Sequence, residues 1–185
     1  MRERYICKML KTALEREFRD VFYMKLTPRP VKIEENKVVY QHGGFDIFAL
    51  VQGIPIAIEV KTVRSKVVFE EKYEKQYQAL KRFYEAGGYS FFLVYNKKEE
   101  MFHIWYFTRD WSDMKVVLRH DADLCDFPYM RGFDWDNLVY TIMLIAKREH
   151  EKRKEFEKEI EKRKEIEIDD YARDAELYDV EDEEE

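Results

Sequence analysis

The chain has 185 residues, 39 acidic and 33 basic, with a formal net charge of −6, 45% hydrophobic and 16% aromatic content. Those figures exclude global disorder and, at about 100–200 residues per domain, predict one packed domain plus an appendage. No apolar run approaches the roughly 20 residues of a membrane span, MRERYICKMLK holds no apolar signal segment, and Cys7 and Cys125 are too few for a disulfide framework or a cysteine zinc site, so the expectation is a cytoplasmic protein with no membrane partner.

Residues 2–20 read as an amphipathic helix, with Ile6, Met9, Leu10, Ala13 and Leu14 at three- and four-residue steps. Val21 to Leu26 is a short, partly β-branched apolar stretch. Thr27-Pro28-Arg29-Pro30 ends it as an extended connector, since prolines two apart suit neither a helix nor a central strand. Val38 to Tyr40 is a short strand candidate, broken by Gly43-Gly44. Residues 46–51 and 54–61 read as a hairpin turning at Gln52-Gly53. In the second run, period two sends Ile54, Ile56, Ile58 and Val60 to one face and Pro55, Ala57, Glu59 and Lys61 to the other.

A second helix is expected over 70–86, with Tyr73, Tyr77, Leu80 and Tyr84 at helical spacing and Gly87-Gly88 as its stop. Strands follow at 89–95 and 101–107, Val116–Leu118 offers a short further piece, and a proline-containing loop, 121–133, leads to a last helix beginning near Asp134. That helix has an apolar stripe at Leu138, Ile142 and Ile145. It runs on through 146–168, a charged extension with nine basic and eight acidic residues and many i,i+4 Glu–Lys pairs, read as a projecting single helix or a weak coiled-coil seam. Residues 169–185 hold ten acidic residues and one Arg, and are expected to form a disordered acidic tail. The remaining 1–168 carry 29 acidic against 32 basic residues, a mildly basic body compatible with nucleic-acid binding. Three Asn and four Gln among dense Glu, Lys and Arg fit a thermophilic source or its virus.

The chemistry concentrates in the hairpin. Asp46 opens one strand, and 13 positions later the next strand presents Glu59-Val60-Lys61. Two carboxylates converging at one end of a twisted sheet make a hard-cation site of the kind Mg²⁺ takes, with Mn²⁺ as an alternative. Lys61, on the same face as Glu59, is placed to orient or deprotonate a water or to neutralise developing phosphate charge. The competing reading is an Asp that caps a turn and an exposed Glu–Lys pair.

These residues resemble the PD-(D/E)xK nuclease superfamily. Phe45-Asp46 stands where its Pro-Asp stands, and Glu59-Val60-Lys61 matches its (D/E)xK. Within that group the chain is similar to Holliday junction resolvases of the RecU and archaeal Hjc types. The similarity lies in Leu26-Thr27-Pro28 with Val31-Lys32-Ile33, in the run Lys75 to Phe83, in Gly87 to Val94, and loosely in Phe127 to Arg131. The resemblance covers about residues 1–145, the expected nuclease domain, with Gly43-Gly44-Phe45 in place of the usual Pro and hydroxyl residues. It implies a restriction-endonuclease-like α/β fold with a mixed central sheet flanked by helices and a magnesium-dependent DNA endonuclease. It also implies a homodimer gripping four-way DNA in recombination or repair. By the same resemblance Asp46 and Glu59 hold the metal, Glu3 of the first helix supports it, Lys61 assists the water, and Gln76 positions water or phosphate. The alternatives are a restriction-type or viral repair nuclease on duplex or flap DNA, and a catalytically weak DNA-binding accessory protein.

Arg29, Lys32, Arg64 and Lys66 are the expected DNA contacts, with Arg2, Arg4, Lys8, Lys11 and Lys25 as further phosphate partners. His42 reads as a polar loop histidine near the Asp46 strand, Glu15 and Glu17 as solvent-facing, and Cys7 and His103 as packed side chains. The run Trp105, Tyr106, Phe107, Trp111 is expected in the core or a dimer interface, as is the stripe Leu138, Ile142, Ile145.

Overall fold

A computed structural model describes residues 1–26, 29–34, 37–41, 44–64, 73–107, 126–128 and 133–179. In chain order the elements are α1 (Glu3–Glu17), β1 (Val21–Lys25), β2 (Arg29–Glu34), β3 (Lys37–Gln41), β4 (Ile47–Val51), β5 (Ile54–Val63), α2 (Glu74–Glu85), β6 (Tyr89–Asn96), β7 (Met101–Tyr106), β8 (Asp126–Pro128) and α3 (Trp135–Asp179). Six strands form one mixed sheet in the order β1-β4-β5-β6-β7-β8, and β2 and β3 form a separate two-stranded ribbon. The mixed α/β class expected from the sequence is the observed one.

The hairpin forms where the alternation places it. β4 pairs antiparallel with β5 from Val51↔Ile54 to Ile47↔Ile58. Gln52 and Gly53 turn it with φ of 52° and 79°, the left-handed conformations that a tight hairpin turn requires. β5 then pairs in parallel with β6, Glu59 beside Phe92 and Lys61 beside Val94. A parallel pair needs a crossover, and α2 supplies it. The helix stops at Gly87, φ +98°, with the Gly88 N–H donating to Phe83 O and the Gly87 N–H to Tyr84 O, the bonds of a glycine-terminated helix end.

β5 is covered on both faces, which explains why its apolar residues are not confined to one. Ile54, Ile56, Ile58 and Val60 join Ile6, Leu10 and Leu14 of α1 and Leu138, Val139 and Ile142 of α3 in the larger cluster. Ala57 joins Tyr77 and Leu80 of α2 with Phe92, Val94, Trp105 and Phe107 in the smaller one. Trp105, Phe107, Leu138 and Ile142 are therefore core side chains, and Ile145 packs against the larger cluster, so none of these is left to build a dimer interface. The large apolar side chains that do stand exposed include Phe22, Met24, Leu50, Tyr140 and Leu144.

One expectation is corrected. The segment read as a connector becomes strand at Arg29, with Pro30 paired opposite Tyr40. A two-stranded ribbon leaves each strand a free edge, where a missing proline N–H removes no ladder bond. α3 runs on to Asp179 with no Gly or Pro to interrupt it. Asp134 caps that helix, its Oδ1 accepting from the N–H groups of Asp136 and Asn137 at 3.1 and 3.0 Å.

The chain divides into two compact units, Met1–Lys147 and Arg148–Glu185. In the first, Arg16 of α1 is ion-paired with Asp136 of α3. In the second, Glu149 is buried and pairs with Lys152 at 2.7 Å, and Ile160 is exposed. Among the described residues no helix is long and apolar enough to cross a membrane.

Candidate active site

The paired β4–β5 register ends at Ile47↔Ile58, and Asp46, the residue just before β4, stands at that end of the ladder. Asp46 is held there through its backbone and side chain together. Its N–H donates to Ile58 O at 3.2 Å, its carbonyl accepts from Leu26 N–H at 2.8 Å, and its Oδ2 accepts from the Val60 N–H at 2.9 Å. Gly44 makes the approach feasible. Its φ is +86°, and a Cβ on it would stand 2.6 Å from Ala79 Cβ of α2, so the chain leading to Asp46 lies directly on that helix.

Glu59 is 3% exposed, which is unusual for a carboxylate. Burial, then the neighbouring charge of Asp46, pushes its pKa up to about 7, although Lys61 pulls the other way. Lys61 is ion-paired with Glu59 Oε1 on the shared face of β5. Burial alone lowers the lysine's pKa, but Glu59, Asp46 and Glu3 more than offset it and carry the ammonium above its ordinary value. The exposed, solvated Glu–Lys pair considered from the sequence is therefore not what is present.

Glu3, at the start of α1, accepts a hydrogen bond from the Thr62 N–H at 3.1 Å, and its charge adds to the upward push on Glu59. It is thus at the same end of β5, with one oxygen already engaged by the backbone. Glu15 and Glu17 are surface partners of Lys11 and Arg16 at 3.5 and 3.7 Å, not rivals for the site. Gln76 lies one turn into α2, and its Oε1 is buried with no hydrogen-bond partner among the described residues. One turn before it on the same helix face, the Tyr73 ring lies 5.3 Å from Lys61 Nζ. Tyr73 was not singled out as a site residue. Its three-residue offset from Gln76 was the available signal.

Cys7 is buried beneath this end of the sheet. Burial and the Asp46 charge push its thiol up to about 12, which leaves it protonated and unsuited to nucleophilic work. Burial likewise raises the Tyr23 hydroxyl, which donates to Cys7 O at 3.1 Å. His103 stacks on Trp105 with ring centroids 6.1 Å apart and meets Glu99 at 3.3 Å, a packed side chain on β7 as expected.

Of the expected DNA contacts, Arg64 follows β5 directly and is exposed, and Arg29 and Lys32 lie on the β2–β3 ribbon. Lys66, His42 and Trp111 lie outside the described residues, as do Thr27-Pro28 and Val116–Leu118. One further cation borders the site: Lys25 pairs opposite Ile47, next to Asp46.

Among the described residues no three or more His, Cys, Asp or Glu side chains gather as a metal-holding cluster. The donor set at this site is the oxygen pair Asp46 and Glu59, with Glu3 behind it. That set fits a hard divalent cation, because Mg²⁺ takes oxygen ligands and two carboxylates suffice to anchor it. No family model matches this sequence, and a search of curated proteins returns no similar protein.

Proposed function

We propose that this chain is a metal-dependent DNA endonuclease with a restriction-endonuclease-like PD-(D/E)xK domain, acting on branched DNA, with the four-way junction as preferred substrate. One observation carries the reading: Asp46 and the buried Glu59 are juxtaposed across a hairpin, with Lys61 ion-paired beside them, at the carboxyl end of the parallel strand β5. Open sheets bind ligands at that end of parallel strands.

A Mg²⁺ ion held by Asp46 and Glu59 would activate a water and neutralise charge on the scissile phosphate. Deprotonated Glu59 is the form that binds, so occupancy requires the proton to leave a group whose pKa is near 7. Lys61, with its pKa raised, stays charged and serves as a donor to a phosphate oxygen or a water rather than as the base that deprotonates it. The Gln76 Oε1, with no hydrogen-bond partner among the described residues, is an acceptor available to orient a water proton. Lys25 and Arg64 provide cationic surroundings for the strand backbone.

Resolving a junction takes two symmetric cuts, and one site per chain then implies a two-fold dimer. Incubating the protein with four-way junction, duplex, single-stranded and flap DNA, with and without Mg²⁺, tests the reading. The expected result is magnesium-dependent, paired nicking of the junction by a species of twice the 22.7 kDa chain mass. Equal cleavage of all four substrates by a monomer would leave a general nuclease. No cleavage under any condition would remove the enzyme reading.

A further inference from the structure

Lys61 carries a long, rotatable stem, and a lysine ammonium is placed for chemistry only when its surroundings restrict it. Its side chain is 18% exposed, so most of the water that would otherwise surround it is gone. Glu59 is ion-paired with it. The Tyr73 ring also meets Nζ, at 5.3 Å, inside the range over which an aromatic face attracts a cation, and the attraction strengthens as water is excluded.

The position of Tyr73 is informative in itself. It occupies the N-cap of α2, with φ −94° and ψ 0°, and makes no side-chain capping hydrogen bond. Ser, Thr, Asp and Asn are the residues that satisfy a helix start, and tyrosine is not among them. The helix begins on a ring that does not cap it and that stands over the lysine of another element.

We propose that Tyr73 is a positioning residue of this site, its ring holding the Lys61 ammonium against Glu59. The contact stands on geometry, while its consequence for cleavage rests on the nuclease reading above. With the ring absent, Lys61 keeps Glu59 but loses the wall that stops it from swinging towards solvent. The chemical step then slows while DNA binding, which other cations supply, does not change.

Two measurements on Tyr73→Phe and Tyr73→Leu test this. Proton–carbon NMR on lysine-labelled protein in EDTA, with Lys61→Arg to assign the resonance, reads the ring current on the Lys61 ε-methylene. An upfield-displaced resonance is expected in the wild type and in Tyr73→Phe, returning to the ordinary lysine position in Tyr73→Leu. Single-turnover junction cleavage is expected to fall about tenfold in rate for Tyr73→Leu at unchanged KM, with Phe restoring it. A wild-type resonance at the ordinary lysine position overturns the proposal, and this arm decides it even where the Leu variant does not fold. A Leu variant that loses the displacement and still cleaves at the wild-type rate also overturns it. Absence of cleavage in the wild type would instead defeat the nuclease reading, with the resonance still deciding the contact.

Discussion

Asp46 Oδ2 accepts a hydrogen bond from the Val60 N–H at 2.9 Å, so the first carboxylate is tied to the strand that carries the second. The bond makes Asp46 a structural partner as well as a candidate ligand. Asp46→Asn keeps an acceptor for that N–H and is expected to abolish cleavage with the fold and DNA affinity unchanged. Asp46→Ala leaves the N–H without its partner and is expected to cost about 1–2 kcal/mol of stability in addition. Urea unfolding and a filter-binding assay on both variants check this, and near wild-type cleavage by either would remove Asp46 from the site.

Glu59 gives a pH dependence with a defined sign. Its pKa is about 7 when folded and near 4.5 in the unfolded chain, so between these values the folded state binds more protons. The stability of the metal-free protein therefore declines as pH rises from about 5 to 7, opposite to the effect of a carboxylate whose pKa folding lowers, and by an amount on the order of 3 kcal/mol. Thermal melts in EDTA at pH 5 and pH 8 are expected to show the higher Tm at pH 5. Adding Mg²⁺ is expected to raise Tm more at pH 8, where Glu59 is ionised, and equal effects at both pH values would contradict the assignment.

Gly44 sets the distance between the hairpin and α2. Gly44→Ala combines φ +86° with a 2.6 Å approach to Ala79 Cβ and is expected to destabilise by about 1–3 kcal/mol and to displace Asp46. Adding Ala79→Gly relieves the clash but not the backbone strain, so partial recovery is expected in denaturant melts. Full stability in the single variant would show that the loop does not rest on the helix.

Binding electrostatics follow from the charge distribution. If the body grips DNA through Lys and Arg, log K against log salt is expected to fall with a slope of about −0.9 per neutralised phosphate. Deleting 169–185 removes ten acidic residues and one Arg and is expected to tighten non-specific binding. Fluorescence anisotropy across a salt series checks both, and a truncation that weakens binding would refute the electrostatic account.

Much of the site was legible because it is local. A two-residue turn closes the hairpin that brings Asp46 to β5, and period two alone places Glu59 and Lys61 on one face of that strand. What lay beyond the sequence is non-local. Pairing of β1 with β4 places Lys25 next to Asp46, and no periodicity announces it. The Glu3–Thr62 bond joins residues 59 positions apart; the helix carboxylate was expected, but its backbone partner was not. Tyr73 reads from sequence as one of the apolar stripe on α2, and only its placement over Lys61 separates it from Tyr77 and Leu80, which are core. Trp105 and Phe107 read from sequence as core or interface alike, because an apolar strand gives no sign of which surface covers it. The β2–β3 ribbon shows the limit of the proline argument, which excludes central strands but not free-edged ones.

The pairing of β5 antiparallel to one neighbour and parallel to the other separates the assembly of the site in time. The β4–β5 hairpin closes over two residues, an event of microseconds, whereas β6 joins only after the longer crossover through α2. The two carboxylates are therefore expected to meet on the early-formed piece, before Lys61 gains the Tyr73 ring and before β6 joins the sheet. During that interval the pair repels itself in water. A divalent cation present in the refolding buffer is then expected to speed folding as well as to slow unfolding, which a chevron recorded with and without Mg²⁺ separates limb by limb.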